Sequence, residues 1–318
     1  MAIGEFELIA RYFSAIGSAR QIDLGIGDDC ALLTPPAGHQ LALSIDTLVA
    51  DVHFPANADP YLIAQKALRT NLSDLAAVGA QPLAFTLALT LSNADENWLA
   101  AFSRGLRDCA NEFDIALIGG DTTRGPTIVI SIQITGIVPT HQALLRSGAR
   151  VDDAIFVSGT LGDARAALQS LAVTSSQLNA QQQFLLSRYY TPSPRIALGI
   201  ALRDIATAAI DISDGLAADL GHILERSAVG AIIEPEKLLL SVALRNRADA
   251  IDLALHGGDD YELCFTVPQT KKNMMQNIAH QLALPLTEIG TIVAGDELFA
   301  RATNGRTQPL PRSGYSHF

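Results

Sequence analysis

The sequence predicts an α+β fold in two domains, with mixed sheets and flanking helices. Apolar residues make up 48% of the 318 and charged residues 17%, enough for a sizeable core and too apolar for disorder. Segments of strand period and of helix period follow one another without strict alternation, which argues against a doubly wound parallel sheet. The composition turns polar between Arg146 and Asp153. A boundary there divides the chain into residues 1–148 and 149–318, each of ordinary domain size.

Residues 5–16 read as a short amphipathic helix and Gly25 to Asp29 as a glycine-acid loop. Leu41 to Asp46 alternates as a strand does. Pro60 to Val78 is helical, opening on a proline and closing at Gly79. Leu83 to Leu91 is a second strand and Asp95 to Phe113 a second helix. Ile115 to Ile118 is a short strand that runs into Gly119-Gly120-Asp121. Thr127 to Val138 is a long strand rich in β-branched residues. The second half gives strands at 154–158, 208–212, 230–234, 261–267 and 286–293. Its helices are expected at 163–171, 177–188, 195–206, 216–226, near 241–249 and at 269–283, with a proline-rich break at Thr191-Pro192-Ser193-Pro194.

The formal charge is −11. Such a surface repels nucleic acid and anionic lipid, so neither is an expected partner. The three cysteines, Cys30, Cys109 and Cys264, are scattered, which argues against a zinc site or disulfide framework and for a reducing compartment. All three read as small buried hydrophobes. No apolar run reaches the roughly 18 residues of a membrane span, and the N-terminus has no basic leader. The expected location is the cytoplasm.

Acidic residues gather beside glycines and at strand ends. The clusters are Gly27-Asp28-Asp29, Ser44-Ile45-Asp46, Asn71-Leu72-Ser73-Asp74, Gly119-Gly120-Asp121, Asp211-Ile212-Ser213-Asp214-Gly215 and Gly257-Gly258-Asp259-Asp260. In a strand Ser44 and Asp46 share a face, and in a helix Asn71 and Asp74 do. Asp211 and Ser213 share a face as well, and Asp214 falls at an expected N-cap. Carboxylates beside small residues at loop ends suit Mg²⁺, which takes a few carboxylate oxygens, keeps waters and is completed by substrate phosphates. A single Asp-Gly pair is usually only a turn; six such clusters point to a metal site. The P-loop, the protein-kinase signatures, the third glycine of a dinucleotide fingerprint and the G-x-S-x-G elbow are all absent. A nucleotide here would be held by metals and backbone amides.

At these clusters the sequence resembles the thiamine-monophosphate kinase family, within the superfamily of aminoimidazole ribonucleotide synthetase and selenophosphate synthetase. The matching stretches are Gly4-Glu5-Phe6, Gly25 to Ala31, Asp46 to Val49, His53-Phe54, Asn71 to Gly79, Ile118 to Gly125, Ser213 to Leu216, Gly258 to Leu263 and Gly314 to Phe318. They run in family order across almost the whole chain.

The resemblance implies the two-domain fold of aminoimidazole ribonucleotide synthetase. Residues 1–148 would bind ATP and Mg²⁺ and pair in a homodimer; residues 149–318 would form a second α+β domain. It implies metal ligation of several Mg²⁺ ions by Asp29, Ser44, Asp46, Asp74, Asp121, Asp211 and Asp214, with Ile45 giving at most its backbone carbonyl. It implies ATP contacts from Gly120, Asp121, Arg146 and Ser213, and contacts to thiamine monophosphate from His53 and Asp259, with Arg312 and Tyr315 of the tail as further candidates for the acceptor. The chain departs from the family at two of these. Asp259 stands where Glu is usual, and Arg312 stands where Trp is often found two residues before Gly-Tyr. His222, His256 and His280 read as structural, and Tyr315 and Phe318 as packing residues more than stacking ones.

The activity implied is direct in-line transfer of the γ-phosphoryl of ATP to a phosphate, giving thiamine diphosphate. An anionic acceptor needs no strong base, which fits the lack of an obvious catalytic His or Lys. Asp28 as a nucleophile is the alternative mechanism. Another enzyme of the superfamily and a non-enzymatic nucleotide- or ion-binding regulator are the alternative functions. A selenophosphate synthetase would need a reactive Cys before Cys30, and there is none.

Overall fold

The computed structural model describes residues 5–18, 21–171 and 178–316. Gly4, residue 177 of the expected helix 177–188, His317 and Phe318 lie outside the described residues. Packing divides the chain into two units, residues 1–75 with 80–141 and residues 76–79 with 142–318.

The first unit is built on a four-stranded sheet. Its strands are β3 (His39–Val49), β4 (Gln81–Leu91), β5 (Ala116–Arg124) and β6 (Val129–Pro139), in the order β3-β6-β4-β5. Only β4 and β5 run parallel. Helices α1 (Glu5–Tyr12), α2 (Pro60–Ala77) and α3 (Glu96–Glu112) accompany the sheet. Asp95 caps α3 as its spacing predicts, accepting the N–H groups of Asn97 and Trp98. The sheet buries one face: Ile130, Ile132 and Ile134 are fully buried. Along β3 the alternation is half-buried Ser44 and Asp46 against exposed Leu43, Ile45 and Thr47, the two-sided pattern of an antiparallel sheet.

β5 is longer than the sequence suggests. It continues through Gly119-Gly120-Asp121 to Arg124, because β4 offers a parallel partner for each of these residues beyond a bulge at Phe85/Thr86. Gly120 is required there: a Cβ would lie 2.0 Å from the carbonyl oxygen of Leu87. A two-stranded hairpin, β1 (Ile22–Leu24) with β2 (Leu32–Leu33), has no strong alternation and was not expected. Ile22, Ala31 and Leu33 pack it on the cluster of Leu83, Ala84, Ala116, Ile118 and Ile137, which carries the loop 25–30 to the sheet.

The second unit holds a seven-stranded sheet: β7 (Ala154–Ser158), β8 (Ala208–Asp211), β9 (Gly230–Ile233), β10 (Leu263–Val267), β11 (Leu286–Val293), β12 (Leu298–Arg301) and β13 (Thr307–Pro309). The order is β13-β12-β9-β11-β7-β10-β8. Period-2 alternation sends β7 and β10 into two cores. Ile155, Val157 and Cys264 join Leu216, Leu220, Ile223 and Leu224 of α7 (Leu216–Ser227). Phe156 and Phe265 stack at 5.7 Å among Leu198, Leu202, Met275 and Ile278 on the other face. Helices α4 (Asp163–Ala167), α5 (Ala180–Tyr190), α6 (Ile196–Ala201), α8 (Ala250–His256) and α9 (Met274–Gln281) complete the unit. The helix expected near 241–249 is a run of turns; the helix comes after it, as α8. Of the cysteines, Cys109 and Cys264 are buried, but Cys30 is exposed on the loop 25–30.

Candidate functional site

In the first unit, Ser44 and Asp46 on β3 do share a face, and it is the face toward α2. The Ser44 hydroxyl donates to Oδ2 of Asp74 at 2.5 Å. The Asp46 N–H donates to Oδ1 of Asn71 at 3.2 Å, and the Asn71 amide is itself anchored, its Nδ2 donating to the Ala67 carbonyl at 2.9 Å. The expected ligands Ser44, Asp46 and Asp74 therefore stand together. Ile45 points its side chain to the opposite face and is 62% exposed, so only its carbonyl could serve a metal. His53 follows in the turn after β3. Its Nδ1 accepts the N–H of Val49 at 3.0 Å, which leaves the proton of a neutral ring on Nε2.

Asp29 and the pair Gly120-Asp121 meet elsewhere in this unit. They line one cavity of about 500 Å³. Its walls divide by chemistry. Ile9, Phe13, Ile26, Leu117 and Ile118 are apolar, whereas Asp28, Asp29, Gly119, Gly120 and Asp121 form a glycine-acid rim. The N–H of Leu117 donates to the Ile16 carbonyl at 2.9 Å, pinning the segment after α1 to β5. The cluster of Ser44 and Asp46 lies at the other edge of the sheet. The register Asp46–Ile132–Leu87–Gly120 puts three strand spacings, about 14 Å, between them. Among the described residues no three of His, Cys, Asp and Glu converge to hold an ion by themselves.

In the second unit, β8 ends at buried Asp211 and delivers the turn Ser213-Asp214-Gly215 to the start of α7. Gly215, not Asp214, is the N-cap residue. The capping carboxylate comes from inside the helix: Oδ2 of Asp219 accepts the N–H groups of Ser213, Asp214 and Gly215 at 3.0, 3.0 and 3.1 Å. These amides are thus engaged, and Ser213 can meet a nucleotide only through its side chain. Burial, then the Asp214 carboxylate, push Asp219 up to about 7 against the pull of the three amides. A carboxylate in the first turn after S-D-G is the signal that could have marked Asp219.

The carbonyls of the same segment gather Asp259, Tyr261 and Tyr315. Ile212 accepts the N–H of Tyr261 and Ser213 that of Asp259, both at 2.8 Å, and Asp214 accepts that of Tyr315 at 3.0 Å. Nδ1 of His256 lies 2.9 Å from the Ser313 carbonyl, so this histidine holds the tail to the loop. Asp259 and Tyr261 both adopt the left-handed conformation, at φ 68° and 51°, and the Tyr261 hydroxyl donates to Asp259 at 3.0 Å. Ser213, Asp214, Asp259 and Tyr315 are therefore neighbours. Arg312 is held elsewhere. The Arg312 side chain runs along Gly221 of α7 and donates to the Asp296 carbonyl. The Leu145 carbonyl pairs with the N–H of Ala209, which seats the backbone before Arg146 beside β8.

Beneath the loop 257–261 lies a buried network that the sequence did not reveal. Glu262, fully buried, accepts from Ser158 at 2.6 Å, from Arg188 at 2.8 Å and from both Nε and Nη2 of Arg195. Asp163 accepts from Thr160 and Ser241. Oδ2 of Asp260 accepts the Gly162 N–H at 2.7 Å, while Oδ1 has no partner. Burial raises Asp163, and drives Asp260 well above the usual carboxylate value.

Two family models match the chain: AIR synthase related protein, N-terminal domain, over residues 27–138, and its C-terminal domain over residues 150–302. The thiamine-monophosphate kinase of Escherichia coli K12 is 49% identical over 323 residues, covering 100% of this chain and 99% of the relative. Among solved structures, thiamine-monophosphate kinase from Stenotrophomonas maltophilia K279a superposes with a TM-score of 0.83 at 48% identity, covering 88% of this chain and 91% of that one. A structure named AaThiL complexed with AMPPCP and TMP gives 0.80 at 32% identity, covering 90% and 89%.

Proposed function

The chain belongs to the thiamine-monophosphate kinases, in the AIR-synthase-related family, and on that premise we propose how its acidic loops bring the two phosphates together. It is a phosphotransferase that uses ATP to convert thiamine monophosphate to thiamine diphosphate. Joining two polyanions is the difficulty: two unit charges about 4 Å apart repel by about 4 kcal/mol at an effective dielectric near 20.

The donor set fits Mg²⁺. Ser44, Asp46 and Asp74, and separately Asp29 and Asp121, offer hard oxygen atoms and too few of them to complete a shell, leaving positions for water and phosphate. Asp211 and Asp214 extend the set in the second unit. Mg²⁺, when bound, neutralises phosphate charge and stabilises the transferring group. The observation that carries the ATP assignment is the two-sided cavity of the first unit. Its apolar wall of Phe13, Ile9 and Leu117 suits a flat base, and its rim of Gly120, Asp121 and Asp29 suits a cation-bound triphosphate. For Arg146 and Ser213, which belong to the second unit, the assignment to ATP rests on the family resemblance.

On the acceptor side, Asp259 would meet the cationic thiazolium, with Tyr315 beside it, and His53 would donate from Nε2 to the phosphate. An acceptor oxygen then forms its bond to the γ-phosphorus as the bond to the β,γ-bridging oxygen breaks. The acceptor is already anionic, so no side chain takes a proton. Leu41, Leu43 and Ile45, 41%, 65% and 62% exposed on the edge strand β3, form a flat apolar row of the kind that pairs with a second copy, and we assign the homodimer contact to it. An exposed thiol at Cys30 and dependence on ATP favour the cytoplasm, and none of the described helices is long and apolar enough to cross a membrane.

An acceptor screen with purified protein, ATP and Mg²⁺ tests the function. ADP should form with thiamine monophosphate and not with other phosphate monoesters; turnover without it, or with none of them, contradicts the reading.

A further inference from the structure

We propose that Asp219 is a positioning residue for both substrates: its buried carboxylate sets the turn Ser213–Gly215, and that turn seats Asp259 and Tyr315. The proposal rests on the assignment of Ser213 to ATP, Asp214 to a cation and Asp259 to the acceptor.

Asp219 is 2% exposed and projects from the first turn of α7. A turn that leads a strand into a helix leaves consecutive N–H groups unpaired, an arrangement that elsewhere cradles an anion. Here the anion is the protein's own. With its amides fixed on Asp219, the segment offers its carbonyls as a rail, and the rail holds two other segments. Ile212 and Ser213 hold Tyr261 and Asp259, and Asp214 holds Tyr315. Two glycines permit the approach. A Cβ on Gly258 would lie 2.5 Å from the Ser213 carbonyl oxygen, and one on Gly314 would lie 2.4 Å from that of Asp214.

The left-handed backbone at Asp259 and Tyr261 needs such support. Non-glycine residues hold that conformation only where their surroundings impose it, and both residues donate their N–H to this rail. Removing the carboxylate would free three amides and let the turn move. Asp259 would move with it, and so would Ser213 and Asp214. Donor and acceptor sites are thereby linked through one side chain that touches neither substrate. A role confined to helix capping would lower the melting temperature and leave both Michaelis constants alone.

The test is steady-state kinetics of Asp219→Ala and Asp219→Asn, with melting temperatures, beside Asp259→Ala. In Asp219→Ala, KM for ATP and for thiamine monophosphate should each rise about tenfold and kcat/KM fall about a hundredfold, the scale of a misplaced site. Asp219→Asn keeps a carbonyl oxygen for the amides and should recover about a tenth of wild-type kcat/KM or more, with both KM values still raised about threefold. Wild-type KM values for both substrates in folded Asp219→Ala overturn the proposal. If that variant does not fold, wild-type values in Asp219→Asn overturn it and raised ones support it. Wild-type acceptor binding in Asp259→Ala overturns the acceptor half, through failure of the assignment it rests on; a raised KM for ATP in Asp219→Ala then supports the donor half.

Discussion

The Ser44 hydroxyl on β3 donates to Oδ2 of Asp74 on α2 at 2.5 Å, tying an edge strand to the helix behind it with two oxygen atoms of the kind Mg²⁺ selects. Asp46, on the same face two residues on, completes the group. Asp46→Asn and Asp74→Asn should each lower kcat/KM by about two orders of magnitude or more, most severely at low Mg²⁺. Melting temperatures should move by no more than about 4 °C, since neither carboxylate is in the core. Near-normal turnover of both variants at low Mg²⁺ would remove them from the metal site.

Asp259 and Arg312 both depart from the family pattern, and the structure treats them differently. Asp259 sits on the rail of Ser213, whereas Arg312 lies along α7 and donates to the Asp296 carbonyl. Asp259→Ala should weaken thiamine monophosphate binding about tenfold or more by losing a partner for the cation, while Arg312→Ala should change it by less than about twofold. Titration calorimetry with the acceptor checks both. Strong loss in Arg312→Ala would make the arginine a phosphate ligand.

The Asp260 carboxyl should make the wild type lose stability as pH rises. Its folded pKa is raised, by burial first, with Asp163 and Glu262 adding to the shift and Gly162 and Arg188 opposing it. The native state therefore keeps a proton that the unfolded chain releases near pH 4, and stability declines upward from there. Each pH unit over which only the native state is protonated is worth about 1.4 kcal/mol. Asp260→Asn cannot ionise and keeps an oxygen for the Gly162 N–H. Its urea-melt stability between pH 4 and 8 should fall less steeply than that of the wild type, with a remaining slope from Asp163 and Asp219. Parallel curves would show that Asp260 is ionised in the native protein.

Leu43 and Ile45 stand outward on β3 across from Thr135 and Gln133 of β6. Leu43→Lys should convert the expected dimer to a monomer in sedimentation experiments, because a charge on an edge strand blocks pairing. A wild-type monomer, or a Leu43→Lys dimer, would move the contact elsewhere.

Much of this architecture was legible because the periodicity was strong. β7 and β11 span the residues expected of them, and α2 opens at Pro60 and ends before Gly79 as its punctuation requires. β1, β2, β12 and β13 are too short to show a period, and α8 was displaced because the helix-forming run 241–249 breaks into turns. The acid clusters were legible one by one, since spacing alone puts Ser44 with Asp46 and Asn71 with Asp74. What brings clusters together was not. The joining of Asp214 to Tyr315 is made by a backbone carbonyl, and the pairing of Asp260 with Gly162 by a backbone N–H. Neither kind of contact leaves a mark in side-chain identity. Asp219 was overlooked because it lies within a helix, where an aspartate usually reads as a polar face.

Direct transfer between two phosphates leaves no phosphorylated side chain between them. The most direct measurement is the stereochemical course at a γ-phosphorus made chiral by oxygen isotopes, with thiamine monophosphate as acceptor. A single in-line displacement inverts that centre, and inversion is the predicted result. Retention would mean two displacements through a phosphoenzyme, with Asp28 the first residue to test, and would contradict the account.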